Sequence, residues 1–148
     1  MKRKIFYKYL CTLICAILLV PGCKKEAKGV LDESVKDISG SWKIVKLIRN
    51  GEDMTERIDL SKFRIIFNAD NSYTLESQMA FVVDEPGTYQ LDDPQYPFGL
   101  ILKPQNATAG TNVTFQFPVV GGRRQLSLTL SPGCSSNTYQ YFFEKETK

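Results

Sequence analysis

The 148-residue chain contains no histidine. That removes the commonest general base, the neutral imidazole ligand and the side chain that titrates near neutral pH. Without imidazole, zinc, copper and haem ligation are not expected, and no cofactor is read from the sequence. A nucleic-acid footprint is lacking too, because it needs a basic face on the folded part. Beyond the amino-terminal region the chain offers only Arg123-Arg124. The formal charge of +3 is unevenly placed: Lys2, Arg3, Lys4 and Lys8 precede Gly22 with no acid among them, and the rest nearly balances the 16 Asp/Glu. No phosphate-cradling glycine loop occurs, since Gly121-Gly122 lacks a following helical pattern. Asp84-Glu85 and Asp92-Asp93 are acidic pairs at turns. Neighbours along a strand point to opposite faces, so neither pair converges as a glycosidase or calcium site would require. These absences point away from an enzyme.

Also missing is an apolar run long enough to span a bilayer. Tyr9 to Val20 is uncharged and mostly apolar, but as a helix it covers only about 18 Å of the roughly 30 Å hydrocarbon layer. Basic residues precede it, and Pro21 and Gly22 end it. That is the anatomy of a signal peptide. The next residue is Cys23, and "Leu-Val-Pro-Gly-Cys" resembles a bacterial lipobox. The resemblance implies cleavage before Cys23, diacylglyceryl on its thiol, and a membrane partner reached through an amino-terminal lipid anchor. Two or more acyl chains hold a protein stably at a membrane. The expected location is the bacterial cell envelope, at the outer membrane. Cys11 and Cys15 leave with the signal and Cys23 is acylated, so Cys134 remains alone. No intrachain disulfide is then expected, and Cys134 reads as a small structural thiol.

The expected organisation is a signal peptide over 1–22, a tether with a short helix over 23–38, and a β-domain over 39–148. Leu31, Val35 and Ile38 recur at helical spacing and predict a short amphipathic helix at about 30–38. From Trp42 the apolar period changes to two, and turn signals punctuate the chain. Strands are expected at about 42–49, 62–68, 72–83, 87–91, 98–103, 113–120, 123–130 and 138–145. In the hairpin centred on Gly121-Gly122, Phe117 faces Leu126, Phe115 faces Leu128 and Val113 faces Leu130. The opposite face receives Thr114, Gln116, Gln125, Ser127 and Thr129, which specifies the register. Pro118 cannot donate to the ladder, so a four-residue loop or a bulge is preferred there. In "KFRIIFNADNSYTLES" a three-residue loop over Ala69 to Asn71 places Phe67 opposite Tyr73 and Ile65 opposite Leu75. Asn71 then takes the left-handed position.

"Gly40-Ser41-Trp42" opens the first strand after the expected helix. It resembles the Gly-x-Trp signature of the lipocalin superfamily, whose tryptophan lies at the closed end of an eight-stranded barrel. The stretches "FRIIFNADNSYTL", "GTYQLDDPQYPF", "RQLSLTLSPGC" and "NTYQYFFEK" resemble a lipocalin-like domain-of-unknown-function family of Bacteroidetes lipoproteins, over roughly 40–146. The resemblance implies an all-β, eight-stranded antiparallel lipocalin-like barrel with a short N-terminal helix, with Gly40 and Trp42 as its barrel-closing motif. It supplies no activity. The chain departs from lipocalins in lacking a central Thr-Asp-Tyr segment and a late arginine to pack over the tryptophan.

Apolar strand faces collect Phe63, Ile65, Phe67, Tyr73, Leu75, Phe115, Phe117, Leu126, Leu128, Tyr139, Tyr141 and Phe143. Small barrels either fill their interior with such side chains or hold one small ligand among them. The leading expectation is a binding module for a small apolar or amphipathic ligand or an envelope protein. The alternative is a structural lipoprotein with a filled barrel.

Overall fold

The computed structural model describes residues 33–77, 83–133 and 136–147. Cys23, Leu31, Cys134 and the signal segment lie outside them. The strands are β1 (Gly40–Arg49), β2 (Glu52–Asp53), β3 (Arg64–Phe67), β4 (Ser72–Glu76), β5 (Gly87–Leu91), β6 (Gly99–Pro104), β7 (Thr111–Gln116), β8 (Val119–Val120), β9 (Arg123–Leu130) and β10 (Tyr139–Lys145). A single 3₁₀ turn, Thr55–Arg57, is the only helical element among the described residues.

Two hairpins set the pattern. In β3–β4, Ile65 pairs with Leu75 and Phe67 with Tyr73. The loop is the expected three residues, closed by Asn68 N–H on Ser72 O at 2.8 Å, with Asn71 at φ 64°. Asparagine tolerates that left-handed geometry better than a branched residue. In β7–β9, Phe115 pairs with Leu128 and Gln116 with Ser127, as the apolar sorting requires. The loop differs from the preferred four residues. Val120 pairs with Arg123 directly across Gly121-Gly122, at φ 57° and 77°. Two positive φ values in succession make the twisted two-residue turn that suits strand twist, and glycine adopts both freely. Pro118 keeps its hydrogen-bonded site by accepting from Gln125 N–H at 2.9 Å. Its missing donor interrupts the ladder, so one expected strand, 113–120, becomes β7 and β8.

Eight strands then close on themselves. The order runs β10, β1, β3, β4, β5, β6, β7, β9, and β9 pairs again with β10. Every neighbouring pair is antiparallel. Closure removes the sheet edges that would otherwise invite aggregation. A bulge in β1 between Ile44 and Lys46 shifts the alternation, so Leu47 joins Trp42 and Ile44 in the interior. An unbulged strand would have aimed Lys46 inward.

The expected helix over 30–38 does not form over its described part. Residues 33–39 are irregular. Lys36 N–H donates to Pro94 O at 2.8 Å, and Ser39 N–H donates to Asp37 Oδ1 at 2.8 Å. With its amides bonded to a distant loop and to a local carboxylate, this segment is a strap across one barrel end. Ile38 is buried while Val35 is exposed, which a shared helical face would not allow. The expected strand 72–83 is also shorter in its described part, because β4 stops at Glu76 and Ser77 turns to φ 64°.

Candidate functional site

Barrel interior. The alternation of each strand delivers its apolar members inward. Phe63, Ile65, Phe67, Tyr73, Phe115, Leu126, Leu128, Tyr141 and Phe143 are all buried. Leu75, Phe117 and Tyr139 are partly buried and pack against that core. Tyr89, Leu100 and Leu102 join them without having been singled out from the sequence. Ring meets ring through the interior: Phe67 and Tyr89 at 4.7 Å, Phe115 and Phe117 at 5.9 Å, Tyr141 and Phe143 at 6.3 Å. Such edge and tilted contacts add to the burial itself. Tyr73 Oη is buried without a hydrogen-bond partner. Burial, with the charges of Asp84 and Glu85 behind it, pushes that phenol up to about 12. Burial also takes Tyr141 to about 12.

The strap end. Trp42 is fully buried, and its Nε1–H donates to Ile38 O at 2.8 Å. Its cross-strand partner is Lys145, whose Nζ stands 5.9 Å from the ring centroid. An ammonium over the indole face is attracted by the ring's quadrupole. Gly40 makes room for it. A Cβ there would lie 2.5 Å from Lys145 Cε, and φ of +125° disfavours any L side chain. The Gly-x-Trp spacing therefore has a local cause: a bare backbone, two residues before the indole, where the lysine stem crosses. No late arginine is in that place; Lys145 is. Phe117 approaches Trp42 edge-on at 6.0 Å, under the Arg124 guanidinium at 5.3 Å.

The groove. β4 and β5 pair only through Ser72 with Thr88 and Tyr73 with Gly87. Beyond that, Tyr89 N–H reaches Asn71 O at 2.8 Å, and Gln90 and Leu91 run past the start of β4. The strap passes beside this overhang. Between them lies a groove of about 900 Å³, with Val35–Ser39 on one wall and Thr88, Gln90, Ile101 and Lys103 on the other. Its apolar lining is Val35, Pro94 and Ile101 with the nearly buried Ile38 and Leu91 behind them, and its charges come from Lys36, Asp37, Asp92 and Lys103. The Ser39 hydroxyl and amide hold Asp37 below the usual carboxylate range. Backbone amides at Gly99 and Phe98 do the same for Asp92. Both are ionised at neutral pH. Tyr89 Oη donates to Asn68 O at 3.0 Å, and burial raises its pKa, helped by the Asp37 and Asp70 charges. The groove thus combines aliphatic contact with charges of both signs at its rim.

The acidic pairs noted in the sequence stay apart from one another. Asp92 Oδ1 caps its own loop by accepting from Asp93 and Phe98 amides, and Asp93 Oδ1 accepts from Gln95 and Tyr96 amides. Asp84 and Glu85 belong to the β4–β5 connection at the other barrel end. Among the described residues no three His, Cys, Asp or Glu side chains gather as a metal site would need. No helix among them is long and apolar enough to cross a membrane.

Compared with known proteins, residues 21–144 match the model of a family described as Domain of unknown function (DUF5004). No curated protein and no solved structure matches the chain.

Proposed function

The chain belongs to the DUF5004 family, and from its own geometry we propose that it is a lipid-anchored envelope protein whose barrel is a binding module for a small amphipathic molecule. The observation that carries the reading is the groove of about 900 Å³ between the strap and β5–β6. Its mixed lining and volume fall in the range of small-molecule sites. The anchor is read from Gly22-Cys23 at the end of a short apolar run, and the reading puts the protein in the cell envelope, at the outer membrane. The meander order, the Gly40-Ser41-Trp42 start and the cation over Trp42 support a lipocalin-like ancestry. In this reading the protein binds rather than catalyses.

The filled interior favours a second reading, a structural lipoprotein with no ligand. Native mass spectrometry of protein purified from its own host separates the two. Under the binding reading the wild type retains a small amphipathic mass, and Thr88→Trp, which fills the groove from an exposed strand position, loses it. If neither protein retains a mass, or both retain it equally, the groove is not the site. Cys23→Ala tests the anchor independently: the variant is expected to leave the membrane fraction.

A further inference from the structure

Among the described residues, large exposed apolar side chains are concentrated at one place. Phe98 is 76% exposed, Val35 65%, Val119 57%, Val120 49% and Tyr96 48%. All five sit at the strap end of the barrel. Lys36, beside Val35, bonds to Pro94 in the loop that bears Tyr96 and Phe98. Phe98 O accepts from Phe115 N–H at 2.7 Å, next to the hairpin that bears Val119 and Val120. Glu33, where the strap begins, feels the charge of Arg124 in that hairpin. Ile58, the remaining exposed large apolar residue among those described, belongs to the segment between β2 and β3 at the other end.

We propose that this end seats on a lipid bilayer, with Phe98 and the Val119-Val120 hairpin entering the headgroup boundary. The inference rests on the lipid-anchor reading above. Its separate support is where the chain leaves the barrel. The strap begins at Glu33 on this same end, and the stretch from Cys23 to Asp32 spans at most about 35 Å when fully extended. An acyl group on Cys23 is therefore tethered to this end of the barrel rather than to the Ile58 end. A tether of that length supplies a high local concentration, so a modest apolar surface suffices for docking. The apolar residues are also held in place. Gly121-Gly122 make a tight turn, and the Asp92 and Asp93 carboxylates cap the loop bearing Tyr96 and Phe98. Little ordering is left for the membrane to impose. Arg123 and Arg124 pair across from Val120 and Val119, at the level where lipid phosphates would lie if the valines enter. Tyr96 suits the same boundary, because its ring is amphipathic.

The test uses the full protein, processed and acylated in its host and reconstituted into vesicles of phosphatidylcholine and phosphatidylglycerol, with or without bromine on the acyl chains. Phe98→Trp places a reporter at the proposed contact, and Ile58→Trp places one at the far end. Both positions are exposed, so neither change disturbs the core. Trp42 is fully buried and contributes a constant background. The Phe98→Trp reporter is expected to lose roughly half or more of its emission to the bromines, as a ring about 5–10 Å into the boundary does. The Ile58→Trp reporter is expected to stay bright. A protein that floats with the vesicles and carries acyl on Cys23, yet leaves Phe98→Trp unquenched, overturns the docking and spares the anchor. A blue-shifted but unquenched reporter overturns it in favour of a second copy of the chain on this face. A protein with no acyl on Cys23 overturns the anchor and the proposal with it.

Discussion

Replacing Ile38 by alanine tests the strap directly. Ile38 is 1% exposed, and its carbonyl accepts from the Trp42 indole. Truncating a buried isoleucine costs about 2–5 kcal/mol, the spread reflecting how well the site collapses. A value near 3 kcal/mol is expected, because closed strands surround the site and restrict collapse. With a urea dependence of roughly 1.5 kcal/mol per molar, the unfolding midpoint falls by about 2 M. Trp42 is the sole tryptophan, so its emission follows the transition from inside the affected end. Val35→Ala supplies the comparison. Val35 is three residues away in the same strap but mostly exposed, and its truncation should stay within about 0.5 kcal/mol. A helix would put both residues on one buried face, so similar losses from the two variants would refute the strap geometry. A midpoint shift below about 0.5 M for Ile38→Ala would refute the packing argument, since it corresponds to less than about 1 kcal/mol.

Two further substitutions probe the barrel wall and interior. Gly87→Ala should cost about 3 kcal/mol or more, measured by the same urea titration, because its Cβ would lie 2.0 Å from Lys103 O, a backbone atom that cannot swing aside. Tyr73→Phe should stabilise by about 1 kcal/mol, since it removes a buried hydroxyl that has no partner. The same variant should flatten the alkaline limb of stability. Tyr73 is held near 12 in the folded state, whereas an unfolded tyrosine titrates near 10. The folded state therefore keeps a proton that the unfolded state releases, and stability falls as pH rises from about 10 towards 12.

Local order was legible where the side-chain period was two. The Phe67–Tyr73 and Phe115–Leu128 pairings follow from alternation and turn chemistry within a few residues of each other, and both are present. The Pro118 problem was visible, but its solution was not. Proline's acceptor serves the ladder while its missing donor ends the strand. Over its described part, the helix expected at about 30–38 does not form, because periodicity cannot see the Pro94 carbonyl, which comes from a loop far along the chain and accepts from Lys36 N–H. Lys145 was recoverable: Tyr141, Phe143 and Lys145 alternate on one face of β10, and that face ends opposite Trp42. Another signal went unread. Asp-x-Ser/Thr recurs at Asp37, Asp53, Asp59 and Asp70, and each carboxylate accepts from the residue two positions on, fixing a turn. The groove had no such local signature, because its walls come from the strap, β5, β6 and the β3–β4 loop.

The interior rings also bear on where a ligand can go. Ligand pockets begin at about 300 Å³. Opening one inside this barrel means giving up several of Phe63, Phe67, Tyr73, Phe115, Tyr141 and Phe143, all fully or almost fully buried. Truncating three such rings at about 3–5 kcal/mol each costs about 9–15 kcal/mol. A domain of this size has about 5–15 kcal/mol of stability in total. An interior ligand would therefore have to be part of the fold, bound before the barrel could close. The groove imposes no such condition. Its walls are the overhanging end of β5, the outward face of β6, the β3–β4 loop and a strap held by Ile38 and one backbone bond to Pro94. Residues such as Thr88, Gln90 and Lys103 can change there without disturbing the rings. Under the proposed binding role, recognition on the outside would let the barrel remain a rigid support while the strap-side surface varies with the ligand.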